Sequence, residues 1–384
     1  SPRSMIKNEP RLFWTFLQSA YEMKKITFLN RVGFHDELRK RVDAYFDDSG
    51  KSKLADWRMI LKTVSIMTLF CASYISFLMS AGSPIWSILS TIAFAQGVIL
   101  VGFNIMHDAN HGSYSRSFVL NRIIGLSLDL VGGSSLCWRY KHNILHHTYT
   151  NINEVDDDLA VPGILRFSQG QPLHPWHQFQ HWYAFPVYCF MTILWSTKSD
   201  FQKYFSGKIG EYTMPKHSVG ETILFFGVRL FYFGYILVFP MLFHPILHVL
   251  GFFFLVHAVV GITIATVFQV AHIVEASAFR CDDPTQIKNE WAVHQVETTA
   301  NFSPNSKLTN WYCGGLNFQI EHHLFPKISH VHYPAISTII EATCRDFNVT
   351  YVSYPTFGKA ITAHIDFLKY LGGQPHSSVP PATA

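Results

Sequence analysis

Two stretches of the chain, residues 63–107 and 230–274, contain no Asp, Glu, Lys or Arg at all. Charge is scarce throughout, at 15% of 384 residues against 48% hydrophobic, and that balance excludes an ordinary soluble domain of this length. The six cysteines include no Cys-x-x-Cys pair, which argues against a disulfide framework, a thiolate zinc site and an iron–sulfur cluster. No Lys/Arg tract accompanies the formal charge of +4, so nucleic acid is not an expected partner. Nor does the N-terminus order a basic flank, an apolar core and a small-residue cleavage site as a secretory signal would.

Each uncharged stretch is long enough for two bilayer-crossing helices of roughly 20 residues joined by a turn. Ala81-Gly82-Ser83-Pro84 marks one turn, and Pro240 with His244-Pro245 marks the other. Spans are therefore predicted near residues 59–80, 85–106, 222–239 and 246–272. Lys and Arg avoid both hairpin turns, which places the termini and the large middle loop in the cytosol. The expected fold is an all-α integral membrane protein, with four transmembrane helices in two hairpins and a cytosolic helical domain. Residues 1–58 are expected as cytosolic or interfacial helices, amphipathic from Pro10 to Asp48, and 59–335 as the membrane domain with its cytosolic loops. Residues 336–375 should carry short cytosolic helices at 336–344 and 359–371, and 376–384 a disordered tail. Two further apolar pieces, 118–138 and 182–195, are expected at the interface or buried; the first is broken by Arg122, Asp129 and Gly132-Gly133.

Histidine is what the chain has in excess: 21 residues, against 26 of Asp and Glu together. They gather as His107 with His111, as His142 with His146 and His147, and as His322 with His323, while His272 closes the last span. Imidazoles four apart on a helix converge on one ion, which fits His107 with His111 and His142 with His146; His147 would point about 100° further round. Under the single topology above, every cluster lies on the same side of the bilayer. Eight imidazoles suffice for two ions with three or four nitrogens each, whereas haem needs only one or two axial ligands. Acids and amides beside the clusters could hold the second ring nitrogens: Asp108, Asp156, Asp157, Asp158, Glu321, Asn317 and Gln319. A solvated loop charge is the competing reading for each. His294 lies within reach of the third cluster, with its role open. His174, His177 and His181 read as packing or surface residues, and His244, His248 and His257 lie too deep or on the wrong side.

His107-x-x-x-His111, His142-x-x-x-His146-His147 and Gln319-x-x-His322-His323 resemble the three histidine boxes of the membrane fatty acid desaturase family, over about Met59 to Pro334. Gly315 to Pro326 is similar to the third box of the front-end branch, in which Gln stands where other members have His. The resemblance implies a centre of two iron ions, O2 as oxidant, and a cis double bond introduced into a fatty acyl chain carried as acyl-CoA or acyl-lipid. It also implies that His272 is a further ligand. The chain departs from fused relatives in lacking a His-Pro-Gly-Gly haem motif, so a separate ferredoxin or cytochrome b5 is the expected electron donor. The host membrane would be a bacterial inner membrane or the endoplasmic reticulum. Hydroxylation at the same centre is a close alternative, and a zinc-dependent membrane amide hydrolase a more distant one. An inert C–H bond demands a dry, positioned substrate, and a tunnel lined by rings such as Phe225, Phe226, Phe252, Phe253 and Phe254 would suit an acyl tail. Lipid-facing or core packing is the competing reading of those rings.

Overall fold

The computed structural model describes residues 26–159, 163–277 and 286–373. Among them, four helices are long and apolar enough to cross a membrane: Trp57–Leu78, Pro84–His111, Val219–Leu242 and Ile246–His272, here spans one to four. Local chemistry sets their ends. Asp56 caps span one by accepting the Arg58 N–H, Pro84 opens span two, and Ser218 with Glu221 forms a capping box ahead of span three. Span two does not stop near Met106 as expected. No helix breaker occurs until Gly112, which takes φ 76, so His107 and His111 form the last turns of the span itself.

Spans one, two and four share a core of Ile66, Phe70, Phe77, Phe94, Ile99, Phe252 and Val260. Phe77 stacks on Phe252 with ring centroids 3.7 Å apart. Span four also meets the Gln180–Tyr188 helix at Gly261, where a Cβ would lie 2.5 Å from the Tyr188 carbonyl oxygen. Only a glycine admits that approach.

A second layer lies beyond the histidine-bearing ends of the spans. Phe34, Leu38, Val42 and Phe46, four apart on the Phe34–Ser49 helix, are buried against Trp291, Ile320, Leu324, Ile336 and Ile340. The N-terminal amphipathic pattern is thus satisfied by protein over this helix, while its portion at 10–25 lies outside the described residues. Asp282-Asp283-Pro284 and the 376–384 tail lie outside them too. The C-terminal helices run Tyr333–Asp346 and Phe357–Gly373, each longer than its apolar core alone indicated. Segment 118–138 breaks into Phe118–Gly125, Ser127–Leu130 and Ser135–Trp138, and 182–195 falls in Gln180–Tyr188 and Met191–Leu194. None of these helices is long enough to cross. Among the described residues, strand structure is confined to two-residue pairs: Thr27–Phe28 with Gln286–Ile287 (parallel), Lys208–Ile209 with Tyr212–Thr213 (antiparallel) and Asn301–Phe302 with Ser353–Tyr354 (parallel). The first ties the N-terminal segment to the polar domain; the last ties the segment before the third cluster to the C-terminal helices.

Candidate metal centre

Three elements deliver the imidazoles. The end of span two carries His107 and His111, the helical segment Arg139–His146 carries His142 and His146 with His147 following, and the short helix Gln319–Leu324 carries His322 and His323. Span four ends on His272. All eight rings are buried. Ligand-capable atoms of His107, His111, His142 and His322 lie within 4.8 Å of one another, and so do those of His146, His272 and His323. His147 stands between the groups: its ring centroid is 4.8 Å from His111, 4.5 Å from His322 and 4.4 Å from His323. His142 and His146, expected on one ion, are instead divided between the two groups, although their rings stack 5.1 Å apart and a third grouping joins them to Asp158.

Nε2 of His107, His111, His146, His322 and His323 has no hydrogen-bond partner. Nε2 of His142 and His147 face each other at 3.2 Å. Buried ring nitrogens left in this state are costly in an apoprotein, and a cation among them satisfies them together. Nitrogen-only donor sets of this kind suit iron, copper, nickel or zinc. Burial, followed by the mutual repulsion of neighbouring imidazoles, holds His142, His147, His322 and His323 well below the ordinary value of 6.5, so they stay neutral and able to ligate. His146 moves the other way. Burial lowers its pKa, but the Asp156 carboxylate and its hydrogen bond outweigh that and raise it.

The opposite edges of several rings are held. His146 Nδ1 donates to Asp156 Oδ2 at 3.0 Å, and His323 Nδ1 lies 2.8 Å from Gln295 Oε1 and 3.2 Å from Thr150 Oγ1. His322 Nδ1 is 3.3 Å from the Tyr333 hydroxyl. Trp138 stacks on His142, and Phe268 packs on His146 and His272. Such contacts fix ring orientation before any ion binds.

The other candidates fall elsewhere. Asp108 turns from the rings to accept Ser329 Oγ at 2.7 Å, with His330 Nδ1 3.0 Å from its other oxygen. Asp157 pairs with Lys203 at 2.5 Å, and Asp158 with Lys141 at 2.6 Å while lying 3.5 Å from His146 Nδ1. Glu321 accepts from Asn301 and Tyr351, its pKa pushed up to about 7 by burial. Asn317 donates to the Ser303 carbonyl at 3.5 Å, and His294 Nε2 to the Thr150 carbonyl at 2.9 Å. Gln319 is buried beside His272. Gln295, Tyr333, Thr150 and Trp138 were not singled out from the sequence; only the fold brings them to the rings.

A cavity of about 740 Å³ meets this centre at His107, His142, His322 and Gln319. Its polar end includes Lys198, Gln202 and Lys203, and its deep end Phe94, Tyr235, Ile236 and His257. Phe94 precedes His107 by thirteen residues, which places the floor about 20 Å down the helix axis. The five phenylalanines suggested for such a tunnel do not line it. Phe225 stacks on Tyr204, Phe252 on Phe77, Phe253 joins the core, and Phe226 and Phe254 face outward. Phe94, Phe103, Phe167, Phe190 and Phe268 line it instead. His257 is held by the Tyr232 hydroxyl and Thr192, and His177 by the Gly163 carbonyl, as packing histidines.

The sequence profile of the family "Fatty acid desaturase" matches residues 81–355. The chain is 37% identical over 354 residues to an sn-1 linoleoyl-lipid 6-desaturase of Synechocystis, covering 91% of this chain and 98% of that one. It is 38% identical over 345 residues to an acyl-lipid (8-3)-desaturase of Physcomitrium patens, covering 88% and 72%. A third relative, an acyl-lipid (8-3)-desaturase of Mortierella alpina, is 31% identical over 353 residues, covering 89% and 78%.

Proposed function

The chain belongs to the fatty acid desaturase family and is a membrane-bound fatty acyl desaturase of front-end type; we propose that His107, His111, His142, His146, His147, His272, His322 and His323 hold two iron ions in it. The observation that carries this reading is the pair of buried imidazole groups, with unpartnered nitrogens, the first of which lines a largely apolar cavity of about 740 Å³. Bound there, the irons would supply the O2-dependent oxidising power that an unactivated C–H bond requires.

The chain's own residues do the rest. Apolar walls from Phe94 to Phe268 exclude water and hold the tail extended, so that one carbon pair rests against His107, His142 and His322. Asp156 and Gln295 keep the His146 and His323 rings aimed inward. Lys198, Gln202 and Lys203 line the polar end of the cavity, and an acyl-lipid is the substrate class favoured by the relatives' names. Electrons arrive from a carrier outside these residues, ferredoxin or cytochrome b5. The absence of Lys and Arg from both hairpin turns supports a cytosolic metal centre.

The test is expression in a host of defined lipids, with products read by mass spectrometry and metal counted in the purified protein. Loss of two hydrogens from an acyl chain, two irons per chain, and abolition of both product and one or more irons in H146A or H322A are expected. Gain of one oxygen would instead mean hydroxylation. One zinc per chain with oxygen-independent turnover would overturn the reading.

A further inference from the structure

A second cavity, of about 430 Å³, lies on the other side of span four from the tunnel, between residues 262–267 of that span and the Lys307–Cys313 helix. None of the clustered histidines lines it. Its walls are Ile262, Thr263, Thr266, Leu308, Tyr312 and Phe357, with Val267 at the back. Val267 also lines the tunnel, so its isopropyl group is a partition between the two spaces. It lies five residues before His272, about 8 Å down the helix axis from the metal centre.

The Lys307–Cys313 helix that overhangs this groove is fastened on one side. Tyr312 donates to Gln96 Oε1 at 2.6 Å, Asn104 Nδ2 donates to the Tyr312 carbonyl at 3.3 Å, and a Cβ at Gly314 would overlap the Phe103 carbonyl. Over span four no such bond is formed, and the groove is open there. The helix exposes Leu308 and Trp311, with Lys62 over the Trp311 ring at 5.3 Å. An exposed Leu and Trp on a short helix level with the upper turns of the spans is the chemistry of a segment resting in the interfacial layer of a bilayer.

We propose that this groove is a side entrance through which the acyl tail of a membrane lipid slides past Val267 into the tunnel, while its headgroup stays in the interfacial layer. The proposal rests on the desaturase reading for what happens next, but not for its own test. A lipid anchored in a bilayer cannot thread its tail from the aqueous face without being extracted, and a groove open at acyl depth removes that cost. Adjacency to the tunnel across the single Val267 side chain, apolar lining and interfacial depth together favour a lipid tail over a water-borne thioester, which would enter at the Lys198–Lys203 end.

The experiment is photolabelling of the whole protein in nanodiscs by a phosphatidylcholine with a diazirine near the end of one tail, with adducts mapped by mass spectrometry. Wild type should carry adducts on 262–267 and 307–313 and also on tunnel residues such as Leu128 and Val131. Thr263 lines the groove but not the tunnel, so T263W should lose the tunnel adducts; V267A, which thins the partition, should gain them. Tunnel adducts undiminished in T263W, or unlabelled groove segments in wild type, would overturn the entrance. Because labelling requires no turnover, failure of the desaturase reading would show separately as wild type labelled but inactive.

Discussion

Asp156→Asn tests the metal centre most directly. The carboxylate is buried and saturated: Oδ2 accepts His146 Nδ1 at 3.0 Å and the Asn151 N–H at 2.9 Å, and Oδ1 accepts the Asp158 N–H at 3.0 Å. Asparagine keeps the shape and loses the charge. It can satisfy the His146 and Asn151 donors with its oxygen, but its NH2 then faces the Asp158 N–H, leaving that donor unsatisfied at a cost of about 1–3 kcal/mol. The His146 ring also loses the anion that raises its basicity, and such outer contacts change metal affinity about 10–100-fold, or roughly 1.4–2.8 kcal/mol. The effect should be local, because His146 groups with His272 and His323 and not with His107, His111 and His322. Purified protein would be titrated with an iron chelator and its iron counted. One of the two irons should leave at about 10–100-fold lower chelator than in wild type. D157N is the control, since Asp157 pairs with Lys141 and Lys203 and touches none of the rings. Simultaneous loss of both irons at the wild-type chelator concentration, or the same shift in D157N, would refute the reasoning.

Q295A removes the acceptor 2.8 Å from His323 Nδ1, and a neutral partner is worth about 1 kcal/mol, so the same titration should show about a fivefold shift. Gly132 has φ +93 and faces the Tyr232 ring, which a Cβ would approach to 2.6 Å; G132A should lower stability by about 1–3 kcal/mol, read as a lower melting temperature, and an unchanged melt would count against the contact. The iron-free protein should be acid-sensitive. Burial lowers the pKa of His142, His147, His322 and His323 below 6.5 in the folded chain, so the unfolded chain takes up protons first as pH falls. Their contribution is whole above pH 6.5 and lost below it, by up to about 1.4 kcal/mol per residue per pH unit. A melting temperature of the apoprotein that stays flat from neutral pH to about pH 5 would contradict the burial of these rings as neutral bases.

The membrane-crossing elements were legible because an uncharged run of residues 63–107 or 230–274 has few ways to fold other than as two spans. The histidine clusters were legible because their spacing is local. What local spacing cannot carry is the partner across the chain: Gln295 meets His323 and Tyr333 meets His322 only through the packing of the polar domain. The tunnel wall was misassigned for a related reason. Rings facing lipid, core or lumen look alike along an apolar helix, and only the mutual rotation of spans two, three and four decides that Phe94 and Phe268 face the lumen while Phe226 and Phe254 do not.

The second box spreads its rings over both imidazole groups, and its backbone is not a plain α-helix. In an α-helix, His142 and His146 would share a face and approach one ion together. Arg139–His146 instead bonds one residue further along, in a π ladder, and the His147 N–H reaches the His142 carbonyl. The wider turn brings the residue five places on much nearer the face of His142 than α bonding would, and the two Nε2 atoms meet at 3.2 Å. His146 keeps its stack on His142 while meeting Asp156 on one edge and His272 and His323 on the other. A single six-residue motif, wound in a π segment, supplies rings to both groups, and a similar π segment, Val101–Met106, immediately precedes His107 in span two.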